Sequence, residues 1–152
     1  MKIIVIKGIV NSGKTTSLKI LIRRLCQDAI FRLYDKSMNF DVNMTIPTRD
    51  LWAKFCYGGI HILIITYGDS AREVADLIRR KGTDCDIVVC AAHPNYNKYF
   101  SEWENQNIKE IEKTRQQNNE MQKSDNEKFV DDLLKELIAL AENQRKILQK
   151  KF

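Results

Sequence analysis

Gly8, Gly13, Lys14 and Thr15 stand at G-x-x-x-x-G-K-[ST] spacing within KGIVNSGKTT, residues 7 to 16. Glycines let a backbone turn tightly, so that successive N–H groups converge on an oxyanion. Lysine adds a full positive charge at that point, and the hydroxyls of Thr15 and Thr16 can hold a hard cation or a further oxygen. Such a set suits a chain of phosphates, provided that a buried strand delivers the loop and a helix N-terminus receives it.

Both flanks are present in the sequence. KIIVIK, residues 2 to 7, places β-branched residues at four consecutive positions, the pattern of a strand buried on both faces. From Lys14 the period changes: Leu18, Leu21, Ile22 and Leu25 recur at helical spacing up to about Gln27. Lys14 is therefore placed against the β- and γ-phosphates of a nucleotide, Thr15 on Mg2+ and Thr16 near the α-phosphate, while Asn11, Ser12 and the two glycines complete the cradle.

Further along, AIFRLYD (29–35) reads as a short strand and KSMNFDVNMTIPTRD (36–50) as mostly loop. Two β-rich runs flank Gly58-Gly59, the composition of a tight hairpin turn. Ser70 and Glu73 form a capping box ahead of a helix with Val74, Leu77 and Ile78 on its apolar side, ended by Gly82. Another buried strand, CDIVVCAA (85–92), follows. Alternating strands and helices predict an α/β domain with a largely parallel sheet whose strand C-termini form the functional edge. After Pro94 glycine vanishes, and two helices are expected, from about Ser101 to Gln117 and from about Asp125 to Lys150, each behind a capping box, with QQNNEMQKSDN (116–126) a mobile connection. Phe129, Leu133, Leu137 and Leu140 or Ala141 give the last helix an apolar stripe, to be buried on the sheet or against a partner or second copy.

With strand, loop and helix in this order, the chain resembles the P-loop NTPase superfamily through residues 8 to 15 and through the element order of its first 95 residues. The resemblance implies a three-layer fold, a mostly parallel sheet with helices on both faces, in which residues 1–95 form the nucleotide-binding core and 96–152 a C-terminal helical extension. It also implies ATP and Mg2+ as ligands, with Lys14 and Asp69 as the catalytic candidates and Thr15 and Asp69 as the metal ligands. Asp69 follows the apolar run IHILIITYG, and its competing role is to cap the next helix. In nucleoside and nucleotide kinases an acid near Asp35 contacts the acceptor; a simple loop aspartate is the other reading of that residue. Guanine-specific members carry N-K-x-D, whereas Asn97-Lys98 is followed here by Tyr99 and Phe100, which favours adenine. Partition-type ATPases carry a lysine where this chain has Ile9.

Two activities fit these features. One is Mg-dependent ATP hydrolysis or phosphoryl transfer to a small molecule, although residues 95 to 125 offer only Arg115 where such kinases carry an arginine-rich lid. The other is a nucleotide-dependent switch or assembly subunit whose partner or second copy docks on the C-terminal helix and supplies the missing arginine. A nucleic-acid partner is disfavoured, because residues 1–95 hold 14 Lys/Arg against 9 Asp/Glu while 96–152 hold 11 against 11, so no basic arm exists. Arg23-Arg24 and Arg79-Arg80-Lys81 read as solvated helix faces. His93 follows the strand at 85–92 and could line a base pocket, though a solvated loop histidine is the plainer reading; His61 reads as a packed or surface residue. Tyr96, Tyr99, Phe100 and Trp103 read first as anchors of the C-terminal segment and second as a stacking surface. Cys26, Cys56, Cys85 and Cys90 show no C-x-x-C pairing, and neither a signal peptide nor a membrane span is expected, so the chain reads as cytoplasmic, with reduced thiols and no membrane partner.

Overall fold

A computed structural model describes residues 1–9, 12–37, 50–68, 70–103 and 105–151. Strand β1 (Lys2–Lys7) leads through the glycine loop into helix α1 (Lys14–Gln27), followed by β2 (Arg32–Lys36), β3 (Trp52–Tyr57), β4 (Ile60–Ile65), α2 (Ala71–Lys81), β5 (Ile87–Ala92), β6 (Ile108–Glu112) and α3 (Asn119–Lys150). The strands form one sheet in the order β2-β3-β4-β5-β1-β6. The first strand and the first helix have the bounds that their side-chain periods predict, and Ser70 caps α2 by accepting from the Glu73 N–H at 3.3 Å.

The expected fold class is overturned by the strand directions. β4, β5, β1 and β6 run parallel, but β2-β3 and β3-β4 pair antiparallel, so the sheet is mixed and is not the three-layer, mostly parallel P-loop arrangement. The cause is local. Gly58 and Gly59 both take positive φ, 53° and 85°, as a two-residue hairpin turn demands, and a connection that short can join only antiparallel strands. β2 then adds antiparallel to the outer side of β3, with a register shift between Leu33 and Asp35.

Apolar side chains fill both sides of the sheet. Leu18, Leu21, Ile22 and Leu25 of α1 share one cluster with Ile4 and Ile6 of β1 and with Val130, Leu133, Leu137 and Ala141 of α3. Each of those larger α3 side chains contributes roughly 1.5–3 kcal/mol by leaving water. The stripe on the last helix is thus used inside the molecule, chiefly against α1. On the other side, Val74, Leu77 and Ile78 of α2 join Ile3, Val5, Leu63, Tyr96 and Phe100. Tyr96 and Phe100 stack edge-on, with ring centroids 5.0 Å apart, as anchors of the C-terminal segment.

Residues 101–117 do not form the expected helix. Two short 3-10 turns, Tyr96–Tyr99 and Asn105–Asn107, lead into β6, which lies parallel to β1 with Ile3 opposite Ile108 and Lys7 opposite Glu112. Ile108 and Ile111 are three apart, a helix-like spacing; an edge strand that is half in solvent on both faces lacks the alternation that would reveal it. Unpaired N–H and C=O groups along β1 decide the matter, because β6 satisfies them. Helix α3 starts six residues before Ser124, at an Asn118 cap whose side chain accepts from the Met121 N–H at 2.9 Å. The stretch expected as a mobile connection is therefore largely the first turns of α3.

Candidate functional site

The glycine loop leaves β1 at Gly8 and enters α1 through Gly13, which takes a left-handed φ of 91°. Gly13 makes no side-chain cap and the first turn of α1 carries no acidic residue. Among the described residues, therefore, no side chain caps the N-terminal end of the helix dipole, the arrangement that suits an anion. Lys14 is 7% exposed and folds back on the loop: its Nζ donates to the carbonyls of Gly8 at 2.5 Å and Ile9 at 3.0 Å. The Ile9 carbonyl also accepts from the Ser12 N–H at 3.2 Å. The Ser12 and Ser17 hydroxyls are buried with no hydrogen-bond partner among the described residues. Asn11 lies outside the described residues, and Thr16 is exposed beside half-buried Thr15.

Thr15 meets the end of β4. A Cβ added to Gly68 would lie 2.9 Å from Thr15 Oγ1, so the segment after β4 approaches this hydroxyl closely enough to require glycine. Asp69, the metal and catalytic candidate, lies outside the described residues. β5 separates β4 from β1. A second acid, Asp50, reaches the same edge: its carboxylate accepts from the Thr66 hydroxyl at 3.3 Å and stands 3.9 Å from Lys19 Nζ. Sequence reasoning passed over Asp50 because it assigned 36–50 to loop; the antiparallel β3-β4 pair brings the start of β3 to the C-terminal end of β4. Asp35 is not brought to the loop. It is exposed on β2, its own carboxylate accepting from the Lys36 N–H at 2.9 Å. β2 stands four strand spacings from β1, or about 19 Å across the sheet.

Behind the loop stands a group that the sequence reading missed. Lys113 follows β6, is 2% exposed, and donates from Nζ to the Ser12 carbonyl at 2.9 Å and to the Asp125 carboxylate. Its ammonium also lies 5.4 Å from the centroid of the Phe129 ring. Gln122 Nε2 donates to the same Ser12 carbonyl at 2.9 Å and to Asn126 Oδ1 at 2.9 Å. A Cβ on Gly13 would come within 2.3 Å of Asn126 Oδ1, and one on Gly8 within 2.5 Å of the Lys113 carbonyl. Gly8 is therefore required by the close approach of the Lys113 backbone, and Gly13 by its left-handed φ, with the ends of the Asn126 and Gln122 side chains packed against it.

Beside the loop, at the C-terminal ends of β1 and β6, a cavity of about 250 Å3 is lined by Gly8, Ile9, Pro94, Glu112, Thr114 and Arg115. His93 is exposed and offers its carbonyl to the Tyr96 N–H at 3.1 Å; His61 is half-buried against Tyr34. Thiol chemistry is not favoured: the cysteines are free, and burial pushes the Cys85 thiol up to about 11 and that of Cys90 higher still. Asp84 is held below the usual carboxylate range by its 2.8 Å hydrogen bond from Lys54, far from the loop at the opposite edge of the sheet. Among the described residues no group of three or more His, Cys, Asp or Glu could hold a metal, and no helix is long and apolar enough to cross a membrane. No family model, curated protein or solved structure matches the chain.

Among the described residues the loop suits an anion such as a phosphate in three respects: a helix end with no side-chain cap, a buried lysine on carbonyl contacts, and a Ser12 hydroxyl with no hydrogen-bond partner. Mg2+ held through substrate phosphates takes only one or two protein oxygens, and the Thr15 hydroxyl is suited to be one.

Proposed function

We propose that the chain binds Mg-ATP through residues 8–16 and carries out hydrolysis or phosphoryl transfer. The observation that carries this reading is the buried Lys14 ammonium at an uncapped helix N-terminus, on a loop held between a strand and that helix. Bound Mg-ATP supplies the activated phosphoryl group; the chain supplies position and charge. With nucleotide bound, Lys14 would exchange its contacts with the Gly8 and Ile9 carbonyls for phosphate oxygens, the first-turn N–H groups of α1 would donate to the same anion, and the Thr15 hydroxyl would help to hold the metal. Asp69, one residue beyond the Gly68 that abuts Thr15, is the proposed metal carboxylate. The cavity beside Ile9, Pro94 and Arg115 adjoins the loop, and its mixed apolar and polar lining suits a nucleoside base such as adenine.

A second reading, a nucleotide-dependent switch or assembly subunit, is favoured by one observation: α3 is hydrogen-bonded directly to the loop through Gln122. A change in the loop on turnover would reach the C-terminal helix without an intermediary. Incubation with Mg-ATP, alone and with a panel of nucleosides and nucleotides, separates the two. Formation of a phosphorylated acceptor supports transfer and rules out a pure switch; ADP release without acceptor product counts against transfer, and its stimulation by a partner or by self-association supports the switch. Absence of ATP binding contradicts both.

A further inference from the structure

We propose that Lys113, with Asp125 and Gln122, is a positioning group that sets the Ser12-Gly13 peptide of the loop for phosphate binding. The inference rests on the ATP-binding reading and assigns part of that site to the C-terminal segment. A trans peptide holds C=O and the following N–H in opposite directions. Two donors, Lys113 Nζ and Gln122 Nε2, each 2.9 Å from the Ser12 carbonyl, fix it toward α3, so the Gly13 N–H is turned away from α3 and toward the open side of the loop. Without those donors the peptide could flip and present a carbonyl to the anion.

The electrostatics favour a purpose beyond packing. A buried ammonium costs several kcal/mol unless its donors are satisfied. Lys113 is 2% exposed, and its donors are matched by the Ser12 carbonyl, the Asp125 carboxylate and the face of Phe129. An apolar residue would fill the same space without that cost. What it could not do is hold the carbonyl and place a positive charge behind a loop that receives phosphates.

The test compares wild type with the charge-neutral pair Lys113→Met/Asp125→Asn and with Gln122→Met, using Mg-ATP and inorganic tripolyphosphate as probes. Melting curves establish that each variant is folded, and calorimetry gives the affinities of the folded protein. The double variant is expected to weaken both probes about tenfold or more, the usual consequence of losing a charged hydrogen bond, and Gln122→Met by about threefold. A residue that only stabilised the fold would lower the melting temperature and leave these affinities unchanged. Wild-type affinity for both probes in a folded variant overturns the positioning role; if the double variant does not fold, Gln122→Met alone decides. Failure of the wild type to bind either probe overturns the ATP-binding reading itself.

Discussion

At the residue scale, two glycines that share a left-handed backbone, one in the loop and one in the hairpin turn, are constrained for different reasons, and substitution separates them. Gly13 combines a φ of 91° with an Asn126 oxygen 2.3 Å from where a Cβ would stand, whereas Gly59, at φ 85°, faces open space. Gly13→Ala is expected to cost about 1–3 kcal/mol in urea unfolding, from left-handed strain plus displacement of the Asn126 and Gln122 side chains. Gly59→Asn is expected to stay within about 1 kcal/mol of wild type, since asparagine tolerates that conformation. Equal costs at the two sites would remove the role assigned to the Asn126 contact. The motif residues were legible in sequence because their spacing is itself the signal. Lys113 was not: one lysine in a charge-balanced segment carries no mark, and its burial follows from a strand pairing that the spacing of Ile108 and Ile111 conceals.

At the scale of elements, helix boundaries were legible where cap and period agree and failed where two caps compete. Ser70 precedes α2 with its apolar side in phase, and the cap forms as read. Ser124 offers the same local pattern, yet Asn118 begins α3, because the earlier start brings Gln122, Asp125 and Asn126 onto the loop. Asn118→Ala is expected to lower stability by about 1 kcal/mol, while Ser124→Ala, exposed within a helix, is expected to be neutral or stabilising by a few tenths. Thermal melts of the two variants check this, and a larger loss at Ser124 would move the helix start back to where the sequence pattern puts it. The hairpin at Gly58-Gly59 was also legible, and it already contained the antiparallel pair that overturns a mostly parallel sheet. The alternation of strands and helices elsewhere in the chain obscured that consequence.

At the scale of the whole molecule, strand order decides what the loop can meet. β1 lies between β5 and β6, so the loop is flanked by the cavity on the β6 side and by the approach of the β4 segment to Thr15 on the other. The C-terminal residues, expected as two helices packed on the core or used for partner contact, supply an edge strand, the floor behind the loop and a long helix against α1. Residues of the C-terminal segment therefore hold a peptide of the N-terminal loop, Ser12-Gly13. A ligand that binds only the folded loop must then stabilise the whole molecule, by about 2.7 kcal/mol at a concentration one hundred times its Kd. The most direct measurement is calorimetric titration of wild type and Lys14→Ala with Mg-ATP, paired with melting curves at saturating nucleotide. Saturable binding and a raised melting temperature in the wild type, both lost in a folded Lys14→Ala protein, are the predicted result; no binding by the wild type, or equal binding by the two, would contradict the assignment of the loop to nucleotide phosphates.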